Sequence, residues 1–363
     1  MLGMIRLFVF EMANNHMGAV EHGLRIIRGI HEVSKNFSDF NFAFKFQYRD
    51  LNVFIHPDYK ERMDLKYVKR FTETNLKEED FLVLKGEAEK FGFLTMCTPF
   101  DEASVDLVVK HGYDILKIAS CSCTDWPLLE KVVMTDKPVI VSTGGAMLED
   151  IDKVVSFFEH RGKVFAIMHC VGEYPTLPGR LQLNQIDLLR QRYPRIPVGF
   201  STHEEPNSTE AIKIAVAKGA TIFEKHVAVK SDNYEINTYS ATPDQVEKWL
   251  MAAKKAYEMC GVSGERAYFS EKELADIRQF QRGVFAARDI QEGERVDTTN
   301  TFFAFPIQPH QISANEMSKY TIFTALKDIS KNSPVMDVNK LETREKVYEI
   351  VQKSKALLAE AKI

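Results

Sequence analysis

Four residues able to carry charge close short apolar runs in this chain. Lys45 follows Phe42–Phe44, Lys117 follows Ile115–Leu116, His203 stands just beyond Pro197–Phe200, and His226 just beyond Thr221–Phe223. Two carboxylates, Glu11 after Leu7–Phe10 and Glu224 after Thr221–Phe223, hold equivalent places. A lone cation ending an apolar run is partly desolvated and needs an anionic partner, so Lys45 and Lys117 are candidates for an anion site. Thr98, Ser120, Ser142 and Ser201 add hydroxyl donors, and Gly144 and Gly145 let backbone amides approach a phosphate closely. The imidazoles of His203 and His226 suit manganese, cobalt, iron or zinc, whereas an all-oxygen set would favour magnesium or calcium. Taken singly, each has an ordinary explanation: a hydrogen-bonded structural histidine, a lysine paired with Glu11 or Glu224, a serine capping a helix. Their shared place at the ends of apolar runs is what favours a phosphate-and-carboxylate cradle beside a divalent metal. His169 also ends a run, and a packing role is favoured for it.

Such residues, scattered over two hundred positions, meet only if the chain brings the ends of its apolar runs to one place. The remaining runs are Phe93–Cys97 before Thr98, Val139–Val141 before Ser142, and Val164–Met168 before His169 and Tyr174. Between the runs lie segments with helical periodicity: Val20–Val33, Glu78–Phe91, Glu102–His111, Leu148–His160 and Ser208–Lys218. Short strands joined by long helical crossovers must be parallel, and about eight such units predict an α/β fold of the TIM (β/α)8 type. All strand ends then share one mouth. Residues 49–78, rich in charge and aromatic rings, read as an elaborated loop over that mouth.

Pro243–Met259 is the last expected barrel helix, which places a catalytic barrel over residues 1–262 and a charged linker, including Glu271–Gln279, over 263–280. Residues 281–340 then read as a small β-rich domain, with short strands at Val284–Ala287, Phe302–Phe305, Thr321–Ala325 and Val335–Met336 and a turn at Gln291–Glu294. A closing amphipathic helix is expected over 341–363, its stripe formed by Val347, Ile350, Val351, Leu357 and Leu358.

With 45% hydrophobic residues and a formal net charge of −4, the chain has the composition of an ordinary soluble protein and lacks the basic stripe of a nucleic-acid binder. It has no run long and apolar enough to span a membrane, and Met1–Phe10 lacks the features of a secretion signal, so a cytoplasmic location is expected. Cys97, Cys121, Cys123, Cys170 and Cys260 show no paired spacing and are expected to be free thiols.

The motifs resemble the bacterial sialic acid synthase family from Phe10 to about Lys340. They run Glu11-Met12-Ala13-Asn14-Asn15-His16, Lys45-Phe46-Gln47, Thr98-Pro99-Phe100, Lys117-Ile118-Ala119-Ser120, Ser142-Thr143-Gly144, His169-Cys170, Tyr174-Pro175-Thr176, Ser201-Thr202-His203 and Glu224-Lys225-His226. The stretch Arg282–Ile290, followed by Glu292-Gly293-Glu294, is similar to the family's antifreeze-like (SAF) domain. The resemblance implies a metal-dependent transferase that condenses phosphoenolpyruvate with an aldose to give a 3-deoxy-ulosonic acid and phosphate. Lys45, Thr98, Lys117, Ser120, Ser142 and Ser201 would hold phosphoenolpyruvate, and His203 and His226 a divalent metal, manganese first with cobalt or magnesium as alternatives. Gln47, Tyr174, Asn237 and Phe305 would face the sugar. Glu11 and Glu224, with Gln47 and Tyr174, would surround the reacting carbons. The family architecture also implies a domain-swapped homodimer.

Three departures fall on the acceptor side. Gly172 replaces an expected Asn or Ser, Ile236 stands where an acidic residue is usual, and Phe305-Pro306-Ile307 replaces the family's Arg-Pro-Gly. Phenylalanine cannot supply arginine's planar fork of donors, so an aldose other than N-acetylmannosamine is expected. Two rivals stand beside this reading: a phosphoenolpyruvate-condensing enzyme that uses a sugar phosphate, and a catalytically silent sugar-binding relative.

Overall fold

Eight parallel strands close into a barrel in the computed structural model, which describes the backbone of residues 6–342 and 344–360 and the side chains of 6–342 and 348–357. The N-terminal residues 1–5 of the segment read for secretion signals, and the tail 361–363 of the closing helix, lie outside the described residues, as do the Val347 and Leu358 side chains. Residue contacts divide the chain into two compact units, one reaching Gly261 and the other starting at Val262.

The barrel strands are Leu7–Glu11 (β1), Asn41–Tyr48 (β2), Leu94–Pro99 (β3), Ile115–Ile118 (β4), Val139–Ser142 (β5), Phe165–Cys170 (β6), Val198–Thr202 (β7) and Ile222–His226 (β8). Each pairs with the next, and β1 closes the ring on β8, with Glu11 opposite both Lys45 and His226. The helices that return the chain are Val20–Ser34 (α1), Glu78–Lys90 (α4), Glu102–Lys110 (α5), Trp126–Val133 (α6), Leu148–His160 (α7), Asn184–Arg192 (α8), Glu210–Ala217 (α9) and Pro243–Cys260 (α10). The excursion after β2 carries a single turn at Leu51–Phe54 (α2) and the helix Lys66–Glu73 (α3). Local chemistry starts several helices: the Asp101 carboxylate accepts the Ser104 amide at 2.7 Å, and Thr242 with Gln245 forms a capping box ahead of Pro243.

Strand alternation divides the apolar residues into two cores. Outward positions such as Phe8, Phe10, Phe44, Phe46 and Phe223 pack under the helices, with the Trp249 ring edge-on to Phe8 at 5.1 Å. Each such ring removed from water contributes about 1.5–3 kcal/mol. Inward positions Leu7, Val9, Ala43, Met96, Ile115, Ile140, Ala166, Met168 and Ile222 fill the barrel floor. Gly199 belongs to that layer of necessity, because a Cβ there would lie 2.6 Å from the Ile222 carbonyl oxygen. The strands run further than the apolar runs alone suggested. In β2 the ladder continues through Lys45 and Gln47, so the polar groups lie within the last rungs of the strands.

In the second unit, Gly283–Ala286 (β9) pairs antiparallel with Thr301–Ala304 (β11), and Arg295–Val296 (β10), Thr321–Ala325 (β12) and Val338–Glu342 (β13) form a second small sheet. Val284, Ala286, Ile290, Val296, Phe323 and Val335 are among the residues of its own core. Three details differ from the sequence expectation. The segment read as a charged linker contains a helix, Glu271–Gln279 (α11), whose first turn is capped by the Ser270 hydroxyl. Val335 is a buried crossing point that exchanges backbone hydrogen bonds with Val284 and Ile312, and the last strand lies at Val338–Glu342. Leu341 belongs to that strand, so the closing helix (α12) spans Arg344–Glu360. Among the described residues no helix is long and apolar enough to cross a membrane.

Candidate active site at the barrel mouth

Above the apolar floor, the same inward-facing positions turn polar. Glu11, Lys45, Thr98, Lys117, Ser142, Ser201 and Glu224 continue the series begun by Val9, Ala43, Met96, Ile115, Ile140, Gly199 and Ile222, two residues further along their strands. All seven are buried. Lys45 forms an ion pair with Glu11, and its ammonium also lies 3.2 Å from Glu224 Oε1 and 3.3 Å from Thr98 Oγ1. Lys117 donates to both Glu224 oxygens, at 3.0 and 3.2 Å, and Ser201 donates to Oε1 at 3.2 Å. Two ammonium groups and two carboxylates thus form one compact buried cluster.

The charges in this cluster tune one another. Burial opposes ionisation of both lysines. At Lys45 the Glu11 and Glu224 charges outweigh burial and hold the ammonium above its ordinary range. Lys117 has Glu224 but feels Lys45 as well, and there burial prevails and lowers the pKa. Burial pushes Glu224 up, but Lys117 and Lys45 together pull it well below the usual carboxylate range.

Around this cluster lie further acceptors and donors. The Ser120 hydroxyl accepts the Gly144 amide at 3.1 Å, and a Cβ on Gly144 would lie 2.8 Å from that hydroxyl. The buried Ser142 hydroxyl has no hydrogen-bond partner. Cys170 lies on the inward face of β6, and burial raises its thiol pKa. All five cysteines are free.

His203 and His226 stand beside the charged cluster with ring centroids 5.3 Å apart. Burial holds both neutral, lowering each pKa to about 3, with His226 adding to the effect at His203 and Lys45 at His226. The His203 Nδ1–H donates to the Val171 carbonyl at 2.8 Å, which leaves its Nε2 lone pair unspent. His226 Nδ1 is buried without a partner. Behind the rings, Lys225 reaches Glu204 at 3.0 Å in a second buried ion pair, tying the strand that carries His226 to the segment that carries His203. Tyr174 lies over His203 at 4.1 Å, and Tyr239 meets Tyr174 and His226 at 5.1 Å each.

The other singled-out residues separate. Gln47 is on the inward face of β2, where its Oε1 accepts a hydrogen bond from Arg49 at 3.0 Å. Asn237 is consumed locally: its amide donates to Asn15 Oδ1 at 3.2 Å, and its oxygen accepts the Tyr239 amide. Asn15 in turn donates to Val227 and Ser240, so this network fixes the loop after β8. Phe305 belongs to the second unit and is exposed. His169 points outward, stacks on Phe200 and bonds to the Leu181 carbonyl at 2.7 Å.

Sequence reasoning offers Arg49 only as one of the residues able to compensate for the altered acceptor side, beside Asp50 and the 59–78 loop, and does not single out Tyr239 at all. Arg49 continues the inward series Lys45, Gln47, a signal that was present in the period of β2. Nothing in the sequence around Tyr239 distinguishes it from an ordinary loop tyrosine.

The NeuB family model matches residues 42–265. Spore coat polysaccharide biosynthesis protein E from Chromobacterium violaceum is 54% identical with a TM-score of 0.88, over 92% of this chain and 99% of that one. The N-acetylneuraminic acid synthetase of Leptospira borgpetersenii, solved in complex with citrate, is 29% identical with a TM-score of 0.65, over 75% of this chain and 91% of that one. The N,N'-diacetyllegionaminic acid synthase of Campylobacter jejuni is 30% identical over 229 residues, which are 61% of this chain and 66% of that synthase.

Proposed function

Because this chain belongs to the NeuB family, we propose that its barrel mouth condenses phosphoenolpyruvate with an aldose to give a nonulosonic-type 3-deoxy-ulosonic acid and inorganic phosphate. The observation that carries this reading is the buried Lys45–Glu11–Glu224–Lys117 cluster directly beside two neutral imidazoles. Lys45 and Lys117 would turn from the carboxylates toward the phosphate and carboxylate of phosphoenolpyruvate, with Thr98, Ser120, Ser142 and Ser201 as hydroxyl partners. The unpartnered Ser142 hydroxyl supports that assignment.

His203 and His226 would hold a divalent cation through lone pairs that no protein group occupies. Two imidazole ligands would leave coordination positions for substrate or water; among the described residues no group of three or more His, Cys, Asp or Glu is arranged to bind a metal. When bound, such an ion supplies Lewis-acid polarisation of the sugar aldehyde. C3 of phosphoenolpyruvate would attack the aldehyde carbon, water would add at C2, and phosphate would leave by C–O cleavage. Glu11 and Glu224 would move protons at those carbons, and Gln47 and Tyr174 would orient the sugar.

The loss of the family's arginine at Phe305 favours an aldose other than N-acetylmannosamine, and the same family architecture supports a homodimer in which an antifreeze-like second unit serves the partner's barrel. Manganese-supplemented protein, incubated with phosphoenolpyruvate and a broad panel of aldoses, should release phosphate and yield a product whose mass is that of the sugar plus pyruvic acid. No phosphate release with any aldose would overturn the reading.

A further inference from the structure

The guanidinium of Arg49 is half-buried and, among the described residues, forms no ion pair. Its Cζ lies 3.6 Å from the Phe100 ring centroid and 4.1 Å from that of Phe71, so aromatic rings cover the planar group from β3's end and from α3. One N–H donates to Gln47, while Nε–H is buried with no acceptor. The neighbouring acids are already engaged. Asp101 accepts the amides of Asp50 at 2.9 Å and Ser104 at 2.7 Å, and Glu11 is committed to Lys45 and to the Ala13 amide at 2.6 Å. Burial pushes Arg49 down to about 10, which still leaves it charged at neutral pH.

A desolvated cation in this state costs free energy that only an anionic ligand recovers. With the Phe71 and Phe100 rings against it, the guanidinium offers its in-plane N–H donors, the geometry of paired hydrogen bonds to carboxylate or phosphate oxygens. Among the described residues no carboxylate lies within ion-pair distance of Arg49.

Position decides which substrate this charge serves. Lys45, Gln47 and Arg49 are successive inward positions of one strand and its extension, and at about 3.3 Å per residue the backbone of Arg49 stands roughly 13 Å beyond that of Lys45. The guanidinium itself is bonded to Gln47, the residue expected to face the sugar. A sugar lying along Gln47, with its aldehyde toward the floor, would carry its remote end to Arg49.

We infer that Arg49 forms an anion subsite for the acceptor, so that the aldose carries a phosphate or carboxylate at the end remote from its aldehyde. This rests on the condensation reading of the mouth and narrows its substrate class. Gln47 then has two ties, its oxygen held by Arg49 and its amide free for the sugar.

The test is calorimetric titration of the full-length, manganese-supplemented protein with mannose 6-phosphate, mannuronate and mannose, alongside Arg49→Gln and Arg49→Lys. At least one anionic sugar should bind ten or more times more tightly than mannose, and the stronger of the two identifies the anion. Arg49→Gln should erase the advantage, and Arg49→Lys, which keeps the charge but not the fork, should retain part of it. The subsite is overturned if mannose binds as tightly as both anionic sugars, if Arg49→Gln leaves the advantage intact, or if that variant weakens phosphoenolpyruvate binding as much as sugar binding. The unsubstituted protein's own preference decides the matter even if the variants misfold. An anionic advantage lost in Arg49→Gln without turnover of any sugar would sustain the subsite and sink the condensation reading. Turnover of neutral aldoses alone would do the reverse.

Discussion

The floor of the mouth and its rim solve opposite electrostatic problems. At the floor, Lys45, Lys117, Glu11 and Glu224 sit within hydrogen-bonded strands and neutralise one another at ion-pair distance. At the rim, Arg49 follows β2 directly and, among the described residues, pairs with no carboxylate. Buried ion pairs are a poor source of net stability, because desolvation offsets most of the attraction. A balanced cluster at the floor therefore serves readiness: its charges are ordered before substrate arrives, and an anion has only to exchange partners with the carboxylates. The rim keeps charge in reserve instead.

The largest expected effect comes from breaking the floor's balance. Lys117→Met leaves Glu224 with Lys45, which Glu11 already engages. Removing one partner of a buried pair costs about 3–5 kcal/mol of folding stability, and losing a positioned cation should cut phosphate release about a hundred- to a thousandfold. Denaturant melts and a phosphate assay check both. A stability loss below about 1 kcal/mol would mean that the cluster is looser and wetter than its geometry states.

A sharper division is expected at the edge of the floor. His203→Ala removes a neutral side chain, so metal-free protein should keep its circular dichroism and a cooperative melt. Loss of even an outlying partner of a metal ligand costs tenfold to a hundredfold in affinity, so the loss of a ligand itself should weaken manganese binding by about a hundredfold or more. Paramagnetic resonance of bound manganese reads this without reference to turnover. Undiminished manganese binding would remove His203 from the site.

The contrast also explains what the sequence made legible. Floor residues lie on strands whose period of two shows in the chain itself, so Glu11, Lys45, Lys117, Ser201 and Glu224 could be placed at one mouth from alternation and the parallel topology. The rim has no such period. Arg49 acquires its character from Phe71 and Phe100, which belong to other elements. Tyr239 reaches the imidazoles because the Asn15–Asn237 network fixes its loop, and that same network consumes the Asn237 side chain that the sequence had offered to the sugar. In the second unit, Val335 has the apolar character of a strand residue, yet it serves as a single buried crossing point. Apolar runs of two residues carry too little pattern to tell these apart.

The smallest effect should separate floor from rim by acid. His16 is buried behind the rim, its Nδ1 accepting the Gly18 amide at 3.1 Å and its ring edge-on to Phe81, in the turn that also presents Asn14 to Thr74 and Asn15 to the loop after β8. Burial, followed by the His22 charge, lowers its pKa from 6.5 to about 4. The unfolded chain takes up a proton near pH 6.5 while the folded chain resists until about pH 4, so the stability from a neutral His16 is complete above pH 6.5 and drains away as pH falls through that window. The loss attributable to this residue reaches about 3 kcal/mol at pH 4. Glu224 is held far lower, so it keeps its charge toward Lys117 and Lys45 throughout the window. His203 and His226 titrate on the same side and add to the overall slope, which makes the difference between the unsubstituted chain and His16→Gln the informative quantity. Melting curves from pH 7 to pH 4 should converge for the two proteins as acid is added, because the variant has no proton to take up at this position. Parallel curves would show that the buried turn admits a protonated imidazole freely, and the acid sensitivity of the rim would then have to lie elsewhere.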